Sequence, residues 1–413
     1  MADVRPFRAL RYHLERAGNL SELISPPYDV IGPEERARLA SHPYNVVHLI
    51  LPQGPDPYEK ARERLQSWIS AQVLVREAEE AFYPCEQRFA LPDGQVGRRL
   101  GFFARLRLEP PGRSVLAHEQ TFSGPRQDRL ALLRATETAL EAPFLLYEDA
   151  EHSLEPLLEE ALQEACWEAE LGGVQHRLGR IRDPGTIRRI EALLRSCVLI
   201  IADGHHRYES LLAYREEQAR QRRDPEAPFH FGLVYLSNAR APGFLVLPTH
   251  RGLVCTGGRR ANWREQVPDP FRKPIADLAE GLLRLEQDPE GMLVWEPDGS
   301  IFYVGPISAL APADWPEPAR SMPVVWLHEG LLAALGIREG NSEQSGAVRY
   351  YRDPEALRHA LRAGELELGF LLSPPRIESI RDLCLSGRRL PQKSTYFYPK
   401  IPSGLLFYSL SDP

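Results

Sequence analysis

The sequence predicts an α+β fold: a mixed sheet whose helices do not alternate regularly with its strands. Three observations lead there. Apolar stretches of period two and period 3.6 succeed one another without the βαβ regularity of a doubly wound sheet. Two Asp-Gly turns, "PDG" at 92–94 and "EPDGS" at 296–300, mark hairpins. The run "CVLIIAD" at 197–203 ends at Gly204, which opens the helical pattern "HHRYESLLAYREE".

Taken in order, residues 1–60 read as a short strand region, the turn "SPPYDVIGP" and a helix opened by Pro33. Residues 59–77 read as an amphipathic helix with Ala61, Leu65, Trp68 and Ile69 on its apolar face. A hairpin around "PDG" follows, then the strand "SVLAHEQTF", a helix from 123 to 140 capped by Ser123, and the strand "PFLLYED". Helices are expected at 152–170 and 185–196, and "FHFGLVYLSN" and "GFLVLPTHRGLV" read as paired strands. The polar stretch "CTGGRRANWREQVPDP" is the linker candidate, which divides the chain into domains at 1–240 and 241–413. Beyond it come helices at 274–284, 325–336 and 353–363, a hairpin around "EPDGS", and a terminal hairpin in "STYFYPKIPSGLLFYSL".

A chain of 413 residues with 43% hydrophobic and 26% charged residues has a full core and room for two domains. Its net charge of -7 and interspersed basic residues give no basic stripe for duplex DNA, so nucleic acid is not an expected partner. Cys85, Cys166, Cys197, Cys255 and Cys384 are scattered, which excludes a CxxC zinc site and fits a reducing compartment. No apolar segment approaches the roughly 20 residues of a membrane span, and the first residues lack an apolar signal core. A cytoplasmic location is expected. Only Lys60, Lys273, Lys393 and Lys400 among 50 basic side chains are lysine, so each retained lysine draws interest.

Four constellations could carry chemistry. At the start of the helix after Gly204, first-turn N–H groups and the helix dipole favour an anion, and His205, His206 and Arg207 add donors. Asp203 stands one residue before the glycine, placed to hold Mg²⁺ or orient a substrate group; the plainer alternative is a helix cap with satisfied polar neighbours. In "LAHEQTFSGPRQDR", Glu119 is a candidate base or metal ligand, with His118, Thr121 and Arg129 nearby in sequence; a half-exposed edge strand explains the same residues. "RLPQKSTYFYPK" holds Lys393 and Lys400 with Ser394 and Thr395, a set suited to phosphate or hydroxyl contacts, or a chance clustering. Tyr28 and Asp29, stiffened by Pro26 and Pro27, form a pocket wall or a structural turn, and His250 with Arg251 makes a further pair at a strand end.

Together "SPPYDVI", "HEQT", "ADGHHRYES", "THR" and "LPQKSTYFYPK" resemble a widespread bacterial family of unknown function whose members are often labelled ParB-like. Its DGHHR element is similar to the phosphate-binding motif of the ParB/sulfiredoxin fold, which serves nucleotide-gated partition proteins, sulfiredoxins and free-serine kinases. A sulfiredoxin would need a cysteine in the motif, where this chain has His205. A partition protein would need a helix-turn-helix and a basic face, and neither is evident. The free-serine kinases share the acid, glycine, two histidines and arginine. The chain departs from its relatives at Leu140, Ala142 and Leu390, the first two in place of Asn and Ser. The resemblance implies a phosphotransferase using ATP or ADP with Mg²⁺ and acting on a small hydroxyl metabolite, L-serine foremost. Its alternative is a non-catalytic, nucleotide-gated binding protein. In the kinase reading Glu119, Asp203 and His206 are catalytic. Gly204, His205, His206, Arg207, Lys393, Ser394, Thr395 and Lys400 hold the phosphates. Tyr28, Asp29, His118, Thr121, Arg129, His250 and Arg251 line the acceptor side.

Overall fold

The computed structural model describes residues 1–91, 94–119, 123–241, 243, 245–254, 262–337 and 346–411. Two compact units divide the chain, the first made of 1–117, 121–245 and 399–413, the second of 118–120 and 246–398. Helices and mixed sheets give an α+β architecture. Among the described residues no helix is long and apolar enough to cross a membrane.

The first unit is built on a nine-stranded sheet. Its strands run Val115–Ala117, Leu199–Asp203, Phe144–Tyr147, Phe231–Asn238, Val96–Arg107, Tyr83–Ala90, Val174–Leu178 and Trp167–Leu171, with Val4–Arg5 added on Val96–Arg107. Leu199–Asp203 runs parallel to Val115–Ala117 and antiparallel to Phe144–Tyr147. Every residue of Phe231–Asn238 is buried, as a central strand covered on both faces requires.

Several expected elements differ. The helix expected over 59–77 is Pro57–Ser70, and Leu74–Arg76 is a strand. Ile69 stands 43% exposed at the helix end, while Ala61, Leu65 and Trp68 are buried. The helix expected over 152–170 stops at Gln163, and Trp167–Leu171 pairs with Val174–Leu178 through a Gly172–Gly173 turn with both φ positive. Phe231–Asn238 pairs with Val96–Arg107 and Phe144–Tyr147 instead of the strand that follows it in sequence. The terminal hairpin does not form: Tyr408–Ser409 pairs with Thr138–Ala139. Pro92 and Asp93 of the "PDG" turn, Thr121 and much of the linker candidate (255–261) lie outside the described residues, as does the side chain of Ser123.

In the second unit an antiparallel six-stranded sheet runs Arg272–Ile275, Ile301–Val304, Met292–Trp295, Leu366–Leu372, His250–Val254 and Val348–Tyr351. Met292–Trp295 and Ile301–Val304 form the hairpin expected at "EPDGS". Helices Leu278–Gln287 and Pro354–Arg362 supply Leu285, Leu357 and Leu361 to a core with Leu293, Trp295, Tyr303 and Leu371. A helix over Ile377–Leu385 was not expected.

Candidate functional site

The apolar run of Leu199–Asp203 is buried up to Ala202, and Asp203 is half-buried at its end. The pairing register with Phe144–Tyr147 shifts between Ile201 and Asp203, a bulge that re-aims the last side chain. Gly204 then adopts φ 82, and a Cβ there would lie 2.7 Å from Arg207 Nε. Only glycine allows both the left-handed turn and this packing. The 17-residue helix His205–Gln221 begins next, its first backbone bond running from Tyr208 N–H to the Gly204 carbonyl. N–H groups before that point have no acceptor within the helix.

Arg207 folds back over the turn. Nη2 donates to Asp203 Oδ2 at 2.6 Å and Nη1 to the Ala142 carbonyl at 2.9 Å. Since that second contact is to backbone, the side-chain departure at Ala142 leaves it intact. Lys400 donates to the other carboxylate oxygen, Asp203 Oδ1. Burial by itself would raise the Asp203 carboxyl, but the Lys400 and Arg207 charges outweigh it and hold it well below the usual carboxylate range. Burial also works against the Arg207 cation, and Asp203, then Glu141, overcome it to hold the guanidinium above its ordinary value.

What aims Lys400 is a pair of polar residues inside the sheet. Gln87 and Arg99 face each other on neighbouring antiparallel strands and are both buried. Arg99 Nε donates to Gln87 Oε1 at 2.9 Å, and Gln87 Nε2 donates to the Lys400 carbonyl at 3.1 Å. Arg99 also donates to the Pro399 carbonyl, and its guanidinium lies 4.6 Å from the Phe144 ring centre. Farther along, Ser25 and Ser403 exchange backbone bonds of 3.1 and 2.9 Å. The chain carrying Lys400 is thus tied to the segment carrying Tyr28.

Around Tyr28 a second network forms. Its ring lies 4.1 Å from the Arg129 guanidinium, and its N–H donates to Glu141 Oε1 at 3.2 Å. Arg129 donates to Glu141 Oε2 at 3.3 Å, to the Ile50 carbonyl at 2.8 Å and to Asp128 Oδ2 at 2.6 and 2.8 Å. Ser403 Oγ donates to Glu141 Oε1 at 2.8 Å. Burial, then the Asp29 charge, push the Tyr28 hydroxyl up. Asp29 itself is exposed, and its charge is felt at both Tyr28 and Arg207. The cavity bounded by Arg129, Glu141, Arg207 and Leu211 holds about 30 Å³, the space of one water. Glu141 belongs to no motif; its signal in the sequence is a lone carboxylate inside "ALEAPF".

The second unit gathers the remaining candidates. Thr395 donates from N–H and Oγ1 to Glu119 Oε1 at 3.2 and 3.0 Å, while His118 Nε2 lies 2.8 Å from Thr395 Oγ1. With Thr395 Oγ1 donating to the carboxylate, it accepts from His118 Nε2–H. Lys393 sits at φ 51 with its ammonium 4.8 Å from the Tyr350 ring centre. Arg251, fully buried, donates to the Thr249 carbonyl, to the Gln392 and Lys393 carbonyls at 3.3 and 3.2 Å, and to His328 Nε2 at 3.3 Å. It clamps the loop that carries Lys393 and Ser394, whose hydroxyl donates to the Pro391 carbonyl. His250 Nδ1 accepts from Leu372 N–H at 3.3 Å. Burial, then the Arg251 charge, lower His250 to about 4 and His328 to about 3.

As Asp203, the Mg²⁺ candidate, is held, each of its oxygens accepts from one cation. Among the described residues no group of three or more His, Cys, Asp or Glu side chains is arranged to hold a metal.

The first unit is therefore an α+β scaffold that presents a doubly ion-paired carboxylate at the start of a long helix. The chain belongs to the family described as "Protein of unknown function (DUF1015)", whose model matches residues 4–294. Among solved structures, a conserved hypothetical protein from Pyrococcus furiosus is similar at 14% identity and TM-score 0.36, over 70% of this chain and 90% of that one. A free serine kinase in complex with AMP is similar at 14% identity and TM-score 0.35, over 71% and 89%. SbnI from Staphylococcus aureus, truncated at its C-terminus, is similar at 10% identity and TM-score 0.38, over 74% and 85%. No curated protein matches the sequence.

Proposed function

We propose that the protein is a phosphotransferase that moves a phosphoryl group from ATP or ADP to a small hydroxyl metabolite, with L-serine the leading acceptor. The observation that supports this reading is the Asp203–Arg207–Lys400 triad at the start of the helix His205–Gln221. Its charges leave one positive charge in excess beside first-turn N–H groups, an arrangement suited to a phosphate. With its carboxyl held so low, Asp203 is a poor proton acceptor near neutrality and serves instead to fix Lys400 and Arg207. His206, half-buried in the first turn, is the proton-transfer candidate of this unit, and Tyr28 and Asp29 line the acceptor side. In the reaction the acceptor oxygen forms a new bond to phosphorus, the bridging P–O bond to the nucleotide breaks, and the hydroxyl proton leaves to the base. Positioning and charge neutralisation carry most of such a step.

Phosphorus NMR of the purified full chain with L-serine and ATP or ADP tests the reading, run with and without Mg²⁺. A new phosphomonoester resonance, lost in His206→Ala at unchanged melting temperature, is the expected result. Intact nucleotide after prolonged incubation, with melting raised by nucleotide, overturns turnover and leaves the nucleotide-gated binding protein.

A further inference from the structure

Away from Asp203, the first unit contains a second cationic concavity. Helix Pro33–Leu39 contributes Arg36, the short helix Val47–Ile50 contributes His48, and helix Pro57–Ser70 contributes Lys60, Arg64 and Ser67 at spacings that share one face. With Gln53 they line a cavity of about 560 Å³, within the range of small-molecule sites. Glu63 is the one carboxylate in the lining.

The charges here are not compensated as they are elsewhere in the unit. Arg62, on the other side of the helix, is paired with Glu59, whereas among the described residues neither Lys60 nor Arg64 forms an ion pair with a carboxylate. Arg36 spends Nε and Nη2 on the Leu51 carbonyl, at 3.0 and 2.8 Å, which fixes the guanidinium without neutralising it. The Lys60 ammonium rests against the Gly54 turn, where a Cβ would lie 2.8 Å from Nζ. Burial lowers both Arg36 and His48, and the nearby Arg64 charge adds to it. In a chain of net charge -7, three cations around one concavity with a single acid among them run against the general sign.

We propose that the concavity lined by Arg36, His48, Lys60, Arg64 and Ser67 is a second binding site, for a multiply charged phosphate anion. With Glu63 counted, the lining carries a net charge of about two positive, which a monoanion leaves half-compensated and a multiply charged phosphate group meets. Arg36 is fixed by a backbone contact and supplies the planar donor, Lys60 and Arg64 supply charge, and Ser67 and Gln53 supply neutral hydrogen bonds.

The scarcity of lysine makes the test clean. Pyridoxal phosphate, an aldehyde that carries a phosphate, forms an imine with a lysine it binds beside, and borohydride fixes that bond for peptide mapping. Lys60 is expected to be modified ahead of the exposed Lys273, and inorganic pyrophosphate is expected to protect it. Arg64→Gln, at an exposed position, should weaken that protection roughly tenfold, as loss of one charge-assisted contact does. Modification of Lys400 reports on the Asp203 site in the same digest, so failure of one reading is distinguishable from failure of the other. Equal labelling of Lys60 and Lys273, or labelling of Lys60 that pyrophosphate leaves unchanged, overturns the proposal.

Discussion

Asp203 holds Lys400 and Arg207 on its two oxygens, and each cation is itself tied to a backbone segment. Removing the carboxylate charge leaves the buried Arg207 and the half-buried Lys400 facing each other. Asp203→Asn should therefore destabilise the protein by about 3–5 kcal/mol, the cost typical of breaking a buried pair from one side. The sign of the pH dependence follows from the lowered carboxyl. The native state keeps the proton off where the unfolded chain, with its ordinary value of 3.8, takes it up. The contribution of Asp203 is thus complete above that value and is lost as pH falls through the lower folded one. Melting curves of wild type and Asp203→Asn should lie well apart at pH 7 and approach each other below 3.8; curves that stay parallel would refute the pairing.

At the scale of elements, the strand–glycine–helix passage does most of the positioning. Gly204→Ala puts a Cβ both into a left-handed φ and against the Arg207 guanidinium. The backbone term alone is about 1–2 kcal/mol, and the displaced guanidinium should also loosen Asp203. We expect a lower melting temperature together with loss of nucleotide-induced stabilisation in Gly204→Ala, whereas Gly112→Ala, also at positive φ but in open space, should lose stability alone. The hairpin at Gly172–Gly173 shows how a local signal competes with periodicity. "WEAEL" and "VQHRL" alternate buried and exposed residues on either side of two turn glycines, so the strand pattern was present. It was masked because the preceding helix Glu155–Gln163 has an apolar period of its own.

For the molecule as a whole, neutral buried histidines tie stability to pH in both units. Burial, then Arg99, lower His176 to about 3 in the first unit, and His250 and His328 stand at about 4 and 3 in the second. Each is neutral in the folded protein at a pH where the unfolded chain, at 6.5, gains a proton. Stability should then fall steadily as pH drops from 6.5 toward 3, a window that opens well above that of Asp203. Scanning calorimetry at pH 7, 6, 5 and 4 checks this, with His328→Gln expected to flatten the decline; a melting temperature independent of pH across that range would contradict it.

Much of the candidate site's arrangement was legible in the sequence because it is local. A buried strand, a glycine and a helix start within a few residues place Asp203, Gly204, His205 and Arg207 together whatever surrounds them. The α+β class was legible for the same reason, since period and turn chemistry act over short spans. The sequence did not disclose that Arg207 turns back to Asp203 and Ala142, that Lys400 completes the triad, or that Glu141 and Ser403 hold Tyr28 and Arg129. Those contacts join residues far apart along the chain, and no local propensity encodes them. They arise because buried polar groups must find partners wherever the fold brings them, as Gln87 and Arg99 do with the carbonyls at 399 and 400.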